Sequence, residues 1–363
     1  MNVRDALRVA WPPFVVAKVA TLLAMVVGIE QATGTISWRL LRDGFAHWDA
    51  ISYLDIAAAG YPAHLDYHDA FLPGYPLLVR AASAVTSDRV VAAVVVSAIA
   101  ELIALVAVVE LVRAERDART ARFAAWAVAF APLGFFLTGV YTESAFLAGA
   151  ALSLVLMRAG RFRAAAVAAA LATTMRVTGV VLLPVMALEL IIQHRVRSGG
   201  RWLVLIPLPL LLYAAYMQVR AGDALAFLHA QALPSFGEAA AWPWDGLRTT
   251  WETATGSGDP VNRGIFVREV MAGLIGLAAV IAGWLDRRFA RSLALFCTLV
   301  WLMAVSLTFW RSVPRYDLAL FPVVIVAADV TVRARRLRPL LVAAGATVMV
   351  WGSVVFAQGG WIG

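Results

Sequence analysis

The triplet His47-Trp48-Asp49 is the first place where this sequence offers chemistry. It opens the stretch 45–76, FAHWDAISYLDIAAAGYPAHLDYHDAFLPGYP, a long polar, aromatic-rich interruption in a very apolar chain. Asp43 just before it, then Asp49, Asp55, Asp66 and Asp69, stand among Trp48, Tyr53, Tyr61, Tyr67, Phe71 and Tyr75. A carboxylate at a lipid–water boundary can take a proton from a sugar hydroxyl, and partial burial can tune it. Asp49 is the candidate base, and Trp48 and Tyr53 offer faces on which a sugar can stack. The same residues also read as a helix-capping aspartate beside interfacial aromatics. Phe71-Leu72-Pro73-Gly74-Tyr75-Pro76 reads as a rigid, kinked start to a helix that shapes the site, or as a plain interfacial turn.

Two more groups carry charge where an apolar chain resists it. Glu143, in Tyr141-Thr142-Glu143-Ser144, falls at the end of a hairpin near the membrane surface, where an acid needs a partner. Arg176 at the next hairpin end, a metal and the substrate are the candidates. Arg311, Arg315 and Tyr316 form a cluster at another membrane boundary. Arginine there can grip a phosphate through two nitrogens, or can snorkel to the interface. No P-loop, strand-borne GxGxxG, HExxH or GxSxG accompanies these groups. The acids leave a place for a divalent cation, without an identifiable ligand set.

The elements that must position these residues are membrane helices. The chain is 62% hydrophobic and 15% charged, against about 25% charged in a soluble domain. Apolar runs near 20 residues recur throughout, so 1–363 reads as one all-α polytopic domain. The net charge of +8 is almost all arginine, Lys18 being the single lysine. It reads as the positive-inside bias and lipid phosphate contacts, not nucleic-acid binding. Single Cys297 excludes an intrachain disulfide and a cysteine metal site. The first apolar segment carries Lys18 and lacks a small-x-small cleavage site, so it reads as a span.

Placing the arginine-rich connections near 113–122, 158–163, 195–201, 287–291 and 333–338 in the cytoplasm gives spans at roughly 11–31, 88–112, 121–138, 143–158, 163–176, 177–193, 202–219, 265–284, 292–310, 314–331 and 339–357. That is about eleven crossings in the cell membrane, with the N-terminus cytoplasmic. External loops at about 32–87 and 220–264 then bear short interfacial helices and most of the acids. Residues 71–86, too short and interrupted by Pro73, Gly74 and Pro76, do not cross. The short, alanine-rich 143–158 and 163–176 are the weakest spans. The acids on the external side argue against a cytoplasmic nucleotide-sugar donor. A flippase or transporter of a lipid-linked sugar is the rival reading. It calls for midplane charges in broken helices and related halves, whereas Glu101 and Asp329 are the main acids inside spans and no repeat is visible.

Four patches, in order, resemble the GPI mannosyltransferase II (PIG-V) family of GT-C membrane glycosyltransferases, in a bacterial version. They are HWDAISYLDIAAAGY with AFLPGYPLL, GVYTESAFLAGAALSLVL with AAALATTMRVTGVVLLP, GDALAFLHAQ with WPWDGL, and PRYDLALFPVVIV. The resemblance implies a GT-C-like helix bundle and inverting transfer of a sugar, mannose, from a polyprenyl-phosphate carrier to a lipid or glycan acceptor on the external face. It implies Asp49 as catalytic base, Arg315 and Tyr316 at the carrier phosphate, and Glu143 and Arg176 at the family's polar hairpin ends; His47, Trp48, Tyr53, Tyr61 and Gln231 complete the expected substrate contacts. His47 stands where the family usually has arginine, and Asp317 where an apolar residue is more usual.

Overall fold

The computed structural model describes residues 3–331 and 335–362; Arg333 and the side chain of Asp329 lie outside the described residues. In chain order the helices are α1 (Val3–Thr33), α2 (Trp38–Asp43), α3 (Asp49–Ala59), α4 (Gly74–Thr86), α5 (Arg89–Glu115), α6 (Ala118–Ala129), α7 (Glu143–Arg158), α8 (Phe162–Met175), α9 (Leu182–Ile192), α10 (Val196–Gly199), α11 (Leu208–Ala221), α12 (Ala226–His229), α13 (Pro243–Gly256), α14 (Pro260–Leu285), α15 (Arg291–Val305), α16 (Val313–Tyr316), α17 (Val323–Val330) and α18 (Leu337–Ala357). Among the described residues, β pairing is confined to one bridge, Ala240 with Leu307.

Crossing a ~30 Å hydrocarbon core at ~1.5 Å per residue takes ~20 residues. Among the described residues, five helical segments are long and apolar enough: Val3–Thr33, Arg89–Glu115, Val196–Ala221, Pro260–Leu285 and Leu337–Ala357. Of the other expected spans, 143–158 and 163–176 are the single shorter helices α7 and α8, and the rest are built from pieces. The 121–138 run is α6 followed by a 3₁₀ turn at Gly134–Leu137. The 292–310 run leaves the helix after Val305, and 314–331 is α16, a 3₁₀ turn at Asp317–Leu320, and α17. Pro132, Pro314 and Pro322 punctuate these runs, because proline supplies no amide hydrogen to a helix. Irregular backbone at membrane depth must be buried in protein, and Phe135, Phe136, Leu137, Leu320 and Phe321 are buried.

Helix α7 is the centre, buried nearly all round and packed against α5 and α8. The alanines that make 163–176 look weak as a span explain this packing. A Cβ at Gly149 would sit 2.9 Å from the carbonyl oxygen of Ala168 and 3.0 Å from Ala172 Cβ, so small residues let the two backbones close up. Helix α4 has 13 residues, about 20 Å at ~1.5 Å per residue. Its first residue, Gly74, lies so close to α8 that a Cβ there would be 2.6 Å from Thr174 O. Further along α4, Arg80 donates to Ala57 O at 2.7 Å and to Ala58 O at 3.1 Å, capping the last turn of α3. Inside the bundle, Lys18 of α1 pairs with Glu101 of α5 and donates to Thr138 Oγ1 at 2.7 Å.

The bundle has two chemically distinct ends. At one, Arg158 pairs with Glu115 and approaches Glu189, and Arg116 holds Asp286 at 2.9 Å. At the other, the segments 32–87 and 220–264 meet. Arg220 donates to Asp69 Oδ1 at 2.6 Å, and the Tyr213 hydroxyl to Asp69 O at 3.0 Å. Residues 239–241 pair with 306–308 through Ala241 N to Ser306 O (3.1 Å) and Thr308 N to Ala239 O (2.9 Å).

Candidate active site

Between those two segments lies a cavity of about 770 Å³. Asp49 reaches it through an unusual turn. Trp48, just before α3, has φ 58 and ψ −126, a conformation that costs a non-glycine residue ~1–3 kcal/mol and survives only where its surroundings enforce it. The enforcement is visible. The Tyr141 hydroxyl donates to His47 O at 3.0 Å, and Trp48 Nε1 donates to Gly360 O at 3.3 Å. The Trp48 ring meets Trp361 edge-on at 5.0 Å. Asp49 becomes the first residue of α3, but its carboxylate does not cap that helix. Its Oδ2 accepts from Arg315 Nη1 at 2.6 Å.

Arg315 joins Asp49 to a second acid. Its Nε lies 3.3 Å from Glu143 Oε1 in the first turn of α7. Arg176, at the joint between α8 and the 3₁₀ turn Val177–Val181, donates to the same Glu143 oxygen and to Thr142 Oγ1 at 3.4 Å. Its guanidinium also lies over the Tyr316 ring at 4.7 Å. The Arg315 guanidinium sits 5.4–5.7 Å from the ring centres of Tyr141, Phe136 and Tyr316, faces that attract a cation. Two carboxylates and two guanidiniums thus form a balanced cluster, with Glu143 and Arg315 side chains only 4% and 8% exposed. Glu143 Oε2 is buried without a hydrogen-bond partner.

The opposite wall comes from the segment 220–264 and α14. Gln231, Phe236, Glu238, Asn262 and Glu269 line it, with Arg311 beside them. Arg311 donates to Phe236 O at 3.2 Å and stands 3.8 Å from Glu238. Burial pushes the Glu238 carboxyl up to about 7, against the pull of Arg311 and Arg315.

Of the residues expected at the site, Trp48, Asp49, Tyr53, Arg176, Gln231, Arg315 and Tyr316 line this cavity, and Glu143 lies directly behind through its two arginines. The Tyr53 hydroxyl is 3.5 Å from Thr142 Oγ1, and burial raises its pKa. His47 and Tyr61 point elsewhere. The His47 ring packs edge-on against Phe356 at 5.6 Å, and burial lowers its pKa. Tyr61 donates to Phe71 O at 2.6 Å and packs against Tyr213. Among the described residues, no three His, Cys, Asp or Glu side chains converge as a metal-ligand set.

Glu238, Glu269 and Trp361 were not picked out as site residues by sequence. Glu269 carries a usable signal, since an acid inside an apolar run needs a partner as much as Glu143 does. Trp361 carries none, because nothing local shows that the chain folds back onto Trp48.

The sequence profile described as "Mannosyltransferase (PIG-V)" matches residues 22–195. No curated protein matches the sequence. In fold, the chain is similar to ArnT from Cupriavidus metallidurans, solved bound to undecaprenyl phosphate, with TM-score 0.53 and 14% identity, over 95% of this chain and 76% of that one. It is also similar to the oligosaccharyltransferase AglB from Archaeoglobus fulgidus, solved with an inhibitory peptide and a dolichol-phosphate, with TM-score 0.43 and 12% identity, over 94% of this chain and 55% of that one. Residues 22–195 thus resemble the mannosyltransferase (PIG-V) profile, within a helical bundle similar in fold to ArnT.

Proposed function

We propose that this enzyme transfers mannose from a polyprenyl-phosphate carrier to a lipid or glycan acceptor on the external face of the cell membrane, with inversion at the anomeric carbon. The observation that carries the reading is the contact of Asp49 with Arg315 on the cavity wall, a base beside a phosphate ligand. In this mechanism Arg315, supported by Arg176, takes the carrier phosphate. Asp49 accepts the proton of the acceptor hydroxyl as its oxygen attacks the anomeric carbon. The new C–O bond forms as the bond from that carbon to the phosphate oxygen breaks, and the carrier phosphate leaves with both electrons. Positioning and neutralisation of the phosphate supply most of the acceleration. In this mechanism Gln231 and Trp48, which line the cavity, contact sugar hydroxyls and faces.

A place for the prenyl tail supports the reading. A second cavity of about 320 Å³ is lined mostly by apolar side chains of α6, α14 and α17, and by Pro314, Asp317 and Leu318 close to Arg315 in the chain. Arg315 carries the phosphate while an apolar groove starts a residue away, which suits a phosphate with a long hydrocarbon chain.

The test is to isolate the product made from synthetic polyprenyl-phosphate mannose and determine its anomeric configuration. The opposite configuration to the donor supports single displacement with Asp49 as base. Retention overturns it. Carrier moving across vesicles with no sugar transferred points to a flippase.

A further inference from the structure

The turn that bears Arg315 is held by another helix. Ser312 has φ 62, in the left-handed region that resists a side chain, and its own hydroxyl does not cap the following helix α16. Nearby, Trp310 N–H donates to Thr250 Oγ1 at 2.7 Å and Trp310 Nε1 to Val305 O at 2.9 Å. Past Ser312 the grip comes from α14. Glu269 Oε2 accepts the Val313 N–H at 2.8 Å. Glu269 is 2% exposed and lies within a membrane-capable helix. A carboxylate there must be compensated, and its hydrogen bond is to the backbone of the strained turn.

We propose that Glu269 is a positioning residue for the donor phosphate: it clamps the 312–313 turn and so aims Arg315 into the cavity. This rests on the reading that Arg315 meets the carrier phosphate. The clamp needs an acceptor oxygen at the right reach. Glu269→Gln keeps one, Glu269→Asp withdraws it by one methylene, and Glu269→Ala removes it. A role through charge alone would give the reverse order for Gln and Asp.

The test uses the purified full chain in detergent, with a polyprenyl monophosphate as probe and tryptophan quenching as readout, alongside donor kinetics. Glu269→Ala and Glu269→Asp are expected to weaken probe binding and raise donor KM about tenfold, the size of one lost hydrogen bond to a charged group, with kcat changed less than about threefold. Glu269→Gln is expected to stay within about threefold of wild type. In an Arg315→Ala background, Glu269→Asp should cause no further loss. Wild-type binding by the Asp variant, a Gln variant as weak as Ala, or additive losses with Arg315→Ala would overturn the clamp. Failure of wild type to bind the probe, or undiminished binding by Arg315→Ala alone, would instead overturn the carrier reading beneath it.

Discussion

Asp49 and Arg315 neutralise each other across 2.6 Å, so each substitution at the pair exposes a charge as well as deleting one. Replacing Arg315 by Leu leaves Asp49 unpaired and Glu143 with Arg176 alone. Breaking a buried pair this way costs about 3–5 kcal/mol. The variant should melt well below wild type in detergent, whereas Arg315→Lys should keep most of the stability and lose transfer, because an ammonium lacks the flat two-pronged grip on phosphate. Glu238 sets a pH dependence. Its carboxyl, pushed up to about 7, is neutral below that pH and negative above it. The phosphodiester of the proposed donor keeps its single charge across this range. Donor KM should therefore rise as pH passes upward through 7, by about three- to tenfold for one added charge several Å away, partly offset by Arg311. Glu238→Gln should flatten the profile. The stability sign agrees: a carboxyl raised from 4.5 to about 7 makes the fold less stable as pH climbs through that window, and level above it. Asp49, Glu143, Arg176 and Arg315 were legible in the sequence because charges beside apolar runs are few and must find partners. Glu238 was not, because in a loop full of acids nothing local distinguishes the one that ends up buried.

Helices deliver these residues by close approach and by interruption. Gly74 lets α4 abut Thr174 O, and α4 in turn caps α3, which carries Asp49. Gly74→Val should push α4 away from α8 and lower both melting temperature and transfer. Overpacking of this kind costs roughly 1–3 kcal/mol. Lys18 and Glu101 make a different test. Lys18→Met strands a fully buried carboxylate, while Lys18→Met combined with Glu101→Leu replaces the pair by packing. The single variant should lose about 3–5 kcal/mol and the double should recover most of it. Thermal unfolding of the three proteins in one detergent measures both. The interrupted helices show where sequence reading ran out. Hydropathy reports how apolar a run is, not where Pro314 or Pro322 breaks it, so 314–331 looked like one span. Its actual form, a short helix, a 3₁₀ turn and a second helix, is what places Arg315 at the cavity wall.

Across the whole molecule, the two ends divide the work. One gathers the arginine-rich connections around Arg116 and Arg158; the other gathers the cavity and the loops over it. The helical membrane architecture was readable from composition, since so apolar a chain needs lipid around it. That the segments 45–76 and 220–264 meet was not, because Asp69 and Arg220 are 151 residues apart and only the folded bundle joins them. The external assignment of the cavity end is open to direct test. With Cys297 changed to Ser, single cysteines at Asp66 and Arg197 should respond oppositely to an impermeant thiol reagent applied to whole cells, position 66 labelled and position 197 silent. The most direct test of the central claim is sugar transfer from radiolabelled polyprenyl-phosphate mannose to native lipid acceptors, comparing membranes that hold equal amounts of wild type and Asp49→Asn. The account predicts labelled product from wild type and at least about a 100-fold loss in the variant, the size expected for a positioned base. Equal product from both would contradict Asp49 as the base, and no product from either would contradict the proposed donor.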